Sequence, residues 1–437
     1  MLSQEKNDAL TKVGPETPGG QVLRQYWIPA ALTEEVSGER RIAPVTLLGE
    51  KLVLFRNDEG ALGLIDRRCP HRGVDLCYGR LEDNGLRCPF HGWNFGVDGQ
   101  CLEQPGEPEG STAFEKIKAP SYPVVEKNGI VFAYLGSGDA PEFPNFDCFR
   151  APEGHVFSFK GHWNCNWLQA LEVGIDPVHA SFLHRFLEDE DPSDQYGKQF
   201  RDTAADTNIP ITAVLRDYPR PDIHVDKTEY GLRLTTLRHL DNGMTHVRVT
   251  NQVFPCAITI PMSSTMNITQ WHVPIDDENC FWFTMFTSFE APVDKEKMRA
   301  QRVSENTGDD YRPKRNASNE YGFDAAEQAT LTYTGMGTDI NVHDQWAVES
   351  QGTIRDRRLE HLATSDKAIG AHRQLMRQAM NRLEAGEGLA NFLSDLPPRD
   401  VTGPVALDAV AVTDDHEALW REKDGERRAA CAWDAVL

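Results

Sequence analysis

Two short loops constrain this chain more than any other stretch: Cys69-Pro-His71 and, after sixteen intervening residues, Cys88-Pro-Phe-His91. Each Cys-His pair alone is a weak signal. Together they present two thiolates and two imidazoles, and any fold that uses them must bring both loops to one point. That donor set suits a [2Fe-2S] cluster with one iron held by two Cys and the other by two His. Neutral imidazoles in place of anionic thiolates raise the reduction potential, which suits the cluster to taking up and passing on one electron. Zinc is the competing reading, but the usual finger runs C-x2–4-C and then H-x3–5-H, whereas each loop here supplies one Cys and one His. Pro70, Gly73, Pro89 and Gly92 mark both stretches as loops.

The flanking sequence reads as β-structure. Lys51–Arg56 is strand-like, Asn57–Gly60 is a turn, and Leu62–Ile65 reads as a second strand. Further on, YPVVEKNGIVFAYLG gives two strands about Lys127-Asn128-Gly129, a strong hairpin signal. Residues 41–138 are therefore expected to form a small β-domain presenting the two loops, with residues 1–40 as an N-terminal extension. The Pro/Gly-rich stretch from Gly136 to Phe146 reads as the exit linker, and residues 139–437 are expected to form a second, larger domain.

A second constellation follows the linker. Asp176, His179 and His184 fall at D-x2-H-x4-H in NWLQALEVGIDPVHASFLHRF, a helix-like context broken near Pro177. Residues three to five apart on a helix can face one site. Two His plus a later carboxylate make the facial triad of non-haem Fe(II) oxygenases, which leaves positions open for O2 and substrate. Read alone, His179 and His184 would more often be ordinary buried histidines. A one-electron donor in the same chain favours the iron reading, because electron delivery and O2 activation belong together.

Composition narrows the class. With 437 residues, 40% hydrophobic and 26% charged, the chain can bury a large core. No apolar run approaches the roughly 18 residues of a membrane span, and the polar start MLSQEKNDALTKVG lacks a signal-peptide core, so a cytoplasmic location with no membrane partner is expected. A net charge of -22 argues against nucleic acid and is compatible with docking a basic patch on an electron donor. Nine cysteines, an odd count, do not suggest a disulfide scaffold, and Cys77 and Cys101 are read as free thiols.

These residues carry a resemblance. The chain resembles the Rieske non-haem iron oxygenases that hydroxylate aromatic rings. Its opening MLSQEKNDALTKVGPETPGGQVLRQYWIPA and later DQWAVESQGTIRDRRLEHLATSDKAI are similar to the phthalate-dioxygenase branch. The resemblance implies an α+β chain: a small β-sandwich Rieske [2Fe-2S] domain and a larger catalytic domain with an antiparallel sheet around a helix, of the helix-grip type. It implies a Rieske cluster on Cys69, His71, Cys88 and His91, and a mononuclear Fe(II) on His179, His184 and a downstream carboxylate, Asp344 in VHDQWAVESQG. His343 is then a neighbour of the ligands or a surface residue, and Glu349 a support for the helix or site wall. Asp176 is expected to bridge subunits, accepting hydrogen bonds from the catalytic His and from a cluster His of the next chain, so the active unit should be a homotrimer or a trimer-based hexamer. Many relatives place an Asn three residues before that Asp. Here Val173 stands there, and Asn164, Asn166 and Gln169 are the nearby polar candidates.

The function implied is that of the oxygenase component of a two-component system. A flavin/iron-sulfur reductase using NADH would supply electrons, and O2 would hydroxylate a phthalate- or isophthalate-like acid to a cis-dihydrodiol. O- or N-demethylation of an aromatic acid by a Rieske monooxygenase is the alternative. A pure electron-transfer Rieske protein is the alternative of another class, but it would leave the second constellation unexplained. An aromatic carboxylate calls for Arg, whose planar fork pairs with it; the candidates are Arg201, Arg238 and Arg248. Arg248, alternating with Thr250 and Gln252 in HVRVTNQVFP, is the first choice. Ser365–Gly386 reads as an amphipathic helix, with His372, Met376, Met380 and Leu383 along one stripe, and the segment DDHEALWREKDGERRAACAW also reads as helical.

Overall fold

The computed structural model describes residues 2–188, 203–204, 207–305, 308, 310–431 and 433. It divides into two compact units: Val13–Pro141, and Met1–Lys12 together with Glu142–Leu437.

The smaller unit is built from three antiparallel sheets. One orders Ile42–Leu47, Glu50–Arg56, Leu62–Asp66 and Ser121–Tyr122. A second joins four short strands from Arg80–Glu82 to Cys101–Glu103. The third places Ile130–Ala133 between Ile28–Leu32 and Val124–Lys127. The expected hairpin is present, with Lys127 opposite Ile130 and both turn residues, Asn128 and Gly129, at positive φ. The sequence reading began this body at residue 41. Ile28–Leu32 packs on this body as the partner of its middle strand, Ile130–Ala133, and the unit begins at Val13. Cys77 and Cys101 are free thiols in its apolar core, beside Phe95 and Leu86.

The larger unit is centred on an eight-stranded antiparallel sheet. Its order runs Val156–Trp163, Cys280–Ser288, Met266–Pro274, Ala257–Pro261, Thr245–Val253, Gly231–His239 and Asp222–Thr228. Ala257–Pro261 is short and pairs only with the Asn251–Val253 end of its neighbour, and Leu407–Ala411 takes up the rest of that edge. Every residue of Met266–Pro274 is buried, so the sheet is covered on both faces there. The helix Trp167–Gly174 packs on this part of the sheet, and the helix Ile340–Glu349 packs on that helix. The architecture is thus α+β, as expected.

Local chemistry sets these elements. Asn166 caps Trp167–Gly174 by accepting from Leu168 N at 3.1 Å, and its amide donates to the Thr11 and Asp277 carbonyls. The helix ends at Gly174, where a Cβ would meet Ile258 Cδ1 at 2.6 Å, so a larger residue would make Ile258 move. Pro177 then stops the helical path, and the chain turns into the 3-10 segment His179–Ser181. The expected C-terminal helices span Lys367–Glu384 and His416–Ala430. In the first of these, His372 and Met376 are fully buried.

A buried ion network ties the helix Trp167–Gly174 to Lys367–Glu384. Glu172 accepts from Arg357 Nη2 at 2.8 Å and from Arg373 Nε at 2.6 Å, and Arg373 also pairs with Glu360. Burial works to raise the Glu172 carboxyl, but the two guanidiniums more than offset it and hold it below its ordinary value of about 4.5. Replacing Glu172 by Gln leaves buried Arg357 without its carboxylate and Arg373 with Glu360 alone, and should cost about 3–5 kcal/mol in urea unfolding at neutral pH. Because the folded carboxyl titrates below the unfolded one, its contribution is complete above about pH 4.5 and is lost as the pH falls further. The gap between wild type and Glu172→Gln should therefore narrow in acid; a constant gap would show that the charge is not what matters.

Candidate metal centres and active site

The two loops of the smaller unit share one construction. Cys69 N donates to Val74 O and Gly73 N donates to Cys69 O, each at 2.8 Å. Cys88 N donates to Trp93 O at 2.8 Å, and Gly92 N donates to Cys88 O at 3.0 Å. Gly73 and Gly92 take φ of 74° and 76°, a left-handed conformation that closes each turn and favours glycine. Both Cys are buried while His71 and His91 are exposed, their rings 4.4 Å apart and His71 stacked on Trp93. Two buried thiols stand together inside and two imidazoles stand together outside. Burial pushes the Cys69 thiol up to about 11, and the neighbouring Cys88 adds to the effect. A pair of buried sulfurs that are not in a disulfide fits a metal cluster, whose positive charge holds them as thiolates.

In the larger unit, the 3-10 turn after Pro177 and the helix Ile340–Glu349 bring three donors together. The ligand atoms of His179, His184 and Asp344 all lie within 4.8 Å of one another. His184 Nε2 is 3.2 Å and His179 Nε2 3.9 Å from Asp344 Oδ1. Asp344 Oδ1 is buried and receives no hydrogen bond among the described residues. A buried carboxylate oxygen without a donor, facing two imidazoles, is the arrangement a divalent cation resolves. Burial opposes the Asp344 charge, yet His184 and then His179 hold its carboxyl below its ordinary value.

The surroundings orient these side chains. His179 Nδ1 donates to the backbone carbonyl of Asp176, while the Asp176 carboxylate accepts from Val178 N at 2.8 Å. His343, left open above between neighbour and surface, is fully buried and lies against His184, their Nδ1 atoms 3.5 Å apart. Burial, and after it His184, push the His343 imidazole down to about 4. Glu349 anchors its helix by accepting from Asn164 N and from Tyr321 OH, each at 2.8 Å. Gln169 donates to the Val348 and Gly352 carbonyls. Asn164, Asn166 and Gln169 are thus all engaged in the scaffold. Val173 itself lines the cavity beside the three donors.

That cavity is walled by Trp163, Thr236, Arg248, Ile258, Gln270 and His272 as well as the three donors. Arg248 and Thr250 line it; Gln252, two residues on, is buried and donates to Pro255 O instead. Arg248 Nη1 donates to Asp408 Oδ2 at 2.5 Å, and Asp408 Oδ1 lies 2.8 Å from His246 Nε2. Arg238 is not among the lining residues. Its fork donates to the carbonyls of Tyr218 and Pro177 and to Thr236 Oγ1, so it clamps the backbone beside Asp176. Burial, with Arg248 nearby, lowers it to about 10. Arg201 lies outside the described residues. Sequence reading missed Asp408; the signal was there, an acidic residue at a buried position within the apolar run ALDAVAV.

Comparison with known proteins agrees with this construction. A profile described as the Rieske [2Fe-2S] domain matches residues 26–123, and one described as LigXa C-terminal domain like matches residues 133–427. The phthalate 4,5-dioxygenase oxygenase subunit of Pseudomonas putida is 37% identical over 402 residues, 89% of this chain and 88% of that protein. The 3-chlorobenzoate-3,4-dioxygenase oxygenase subunit of Comamonas testosteroni is 32% identical over 406 residues, 88% of this chain and 90% of that protein. The 5,5'-dehydrodivanillate O-demethylase oxygenase subunit of a Sphingobium species is 32% identical over 411 residues, 90% and 84%. The solved structure of Pseudomonas putida CBB5 NdmA with caffeine shares the fold, with a TM-score of 0.61 at 18% identity, covering 88% of this chain and 99% of that one.

The chain belongs to the Rieske non-haem iron oxygenases. It is the oxygenase component of such a system, an oxidoreductase whose cofactors are a Rieske [2Fe-2S] cluster and a mononuclear iron. No described helix is long and apolar enough to cross a membrane.

Proposed function

We propose that this oxygenase dihydroxylates an aromatic carboxylate of the phthalate or isophthalate kind to a cis-dihydrodiol. Electrons come from NADH through a flavin/iron-sulfur reductase. The observation that carries this reading is that Arg248 and the His179–His184–Asp344 trio line one cavity. Relatives named for phthalate and 3-chlorobenzoate support an acid as substrate.

In this reading Cys69, Cys88, His71 and His91 hold the cluster, and His179, His184 and Asp344 hold the mononuclear iron. Bound there, the two groups supply one-electron transfer and the activation of O2. The chain's own residues do the rest. Asp408 fixes one nitrogen of the Arg248 fork and so fixes the plane in which the fork meets a carboxylate. Ile258, Ile260 and Leu234 give the ring an apolar seat and exclude water. Asp176, lining the same cavity and bonded through its carbonyl to His179, is the bridge to the neighbouring subunit's cluster. The working unit is a cytoplasmic homotrimer or trimer-based hexamer.

A second reading, O- or N-demethylation of an aromatic acid, draws on the dehydrodivanillate O-demethylase relative. Product mass separates the two. Protein, reductase and NADH would be incubated with phthalate, isophthalate and methoxybenzoates. A product heavier by two oxygens and two hydrogens supports dihydroxylation. Loss of a methyl group with formaldehyde release makes the enzyme a demethylase.

Two substitutions test the site. Asp344→Asn should fold and keep its cluster spectrum while losing about 10- to 100-fold in Fe(II) affinity, since a neutral amide is a poor ligand for a hard cation. Iron binding equal to wild type would remove Asp344 from the ligand set. Arg248→Lys keeps the charge beside Asp408 but loses the planar fork. It should raise KM for the acid by about tenfold or more, with a smaller effect on kcat. An unchanged KM would end the anchor assignment.

A further inference from the structure

His343 immediately precedes Asp344 and has no exposed surface. Its two ring nitrogens face groups of opposite kind. Nε2 lies 2.8 Å from the carbonyl oxygen of Gly337, a group that can only accept. Nδ1 lies 3.5 Å from His184 Nδ1, with the two rings 21° from parallel and 5.7 Å between centroids. With neutral rings and a cation between His184 Nε2 and Asp344 Oδ1, one proton arrangement is consistent with these contacts. His343 keeps its proton on Nε2 and donates it to Gly337 O. Its Nδ1 lone pair then accepts from His184 Nδ1–H. His184 is left with a lone pair on Nε2, the atom 3.2 Å from Asp344 Oδ1. The other tautomer of His184 would set two lone pairs against each other at the Nδ1 atoms and put an N–H, in place of a lone pair, where a cation held by Asp344 would sit.

We infer that His343 is a positioning residue that fixes His184 in the tautomer whose Nε2 can bind iron. The inference rests on the reading of His179, His184 and Asp344 as the iron ligands. His179 reaches the same state by a simpler route, donating Nδ1–H to the Asp176 carbonyl. A ligating His generally gives its second N–H to an acceptor that sets its tautomer and orientation. For His184 that acceptor is another imidazole, and its lone pair exists only because the Gly337 carbonyl holds the His343 proton on the far side.

Three variants of the full chain, with the cluster in place, test the relay. His343→Asn puts an amide oxygen near the position of Nδ1 and keeps the acceptor for His184. His343→Gln reaches toward Gly337 O and keeps only that contact. His343→Leu keeps neither. The readouts are the Fe(II) dissociation constant under anaerobic titration and the visible bands of the Co(II)-loaded site. Leu and Gln should weaken Fe(II) binding by about 10- to 100-fold and shift the Co(II) bands, and Asn should restore most of both. Rescue by Gln and not by Asn would mean that His343 merely braces the Gly337 turn, which overturns the inference; equal binding in all three overturns it too. If the Leu variant fails to fold, the Asn–Gln comparison still decides. Asp344→Asn is run alongside. If it binds Fe(II) as wild type does, the ligand reading itself has failed, separately from the order of the His343 series.

Discussion

One buried carboxylate oxygen, Asp344 Oδ1, organises the catalytic body. It faces two imidazoles and receives no hydrogen bond among the described residues, so an acceptor is left to be completed by a cation. Holding such a group against its desolvation requires a rigid frame. The frame is the helix Ile340–Glu349, capped by Asp339, gripped along its C-terminal end by Gln169, and pinned at Glu349 by Asn164 and Tyr321. On the opposite side, Gly174 and Pro177 end one helix at the sheet and turn the chain so that His179 and His184 meet the carboxylate. The ion network about Glu172 ties that same helix to Arg357 and Arg373, so the geometry of the site depends on charges lying some distance from it along the chain.

A second set of charges shapes the cavity wall. Arg238 and Arg248 both come from the central sheet, but they do different work. Arg238 is committed to backbone carbonyls and holds the Pro177 turn. Arg248 lines the cavity, with Nη1 donating to Asp408 and Nη2 lying 3.5 Å from the Pro261 carbonyl. Asp408 stands on the one strand that crosses back to fill the edge left by short Ala257–Pro261, so a gap in strand length brings a carboxylate to the arginine.

The parts legible in the sequence were those whose chemistry is local. Cys69, His71, Cys88 and His91 sit in two loops whose Gly73 and Gly92 announce the turns, and Asp176, His179 and His184 share one stretch of nine residues. The Lys127-Asn128-Gly129 hairpin is written in its own residues. Asp344 lies 160 positions beyond His184, and no spacing rule links the two; family resemblance pointed to it, and the packing of two helices brings it there. The contact of His343 with His184 was out of reach for the same reason; Asp408 left a local sign, an acidic residue in an apolar run, but its pairing with Arg248, 160 positions away, left none. The start of the smaller unit at Val13 was not legible because Ile28–Leu32 finds its strand partner about a hundred residues later, and loop-closing contacts of that span leave no local trace.

Relatives named for different reactions match this chain about equally, and its own construction separates the donors from the cavity wall. Oxygenase subunits named for dioxygenation and for O-demethylation match nearly the whole chain at similar identity. The three candidate donors come from a turn and a helix clamped by buried hydrogen bonds, where a shift of one side chain would be felt by all three. The cavity wall comes instead from strands such as Gly231–His239 and Thr245–Val253, whose alternate residues can be exchanged one at a time while the ladder bonds stay intact. The wall is therefore the part of the cavity that can vary without disturbing the three donors.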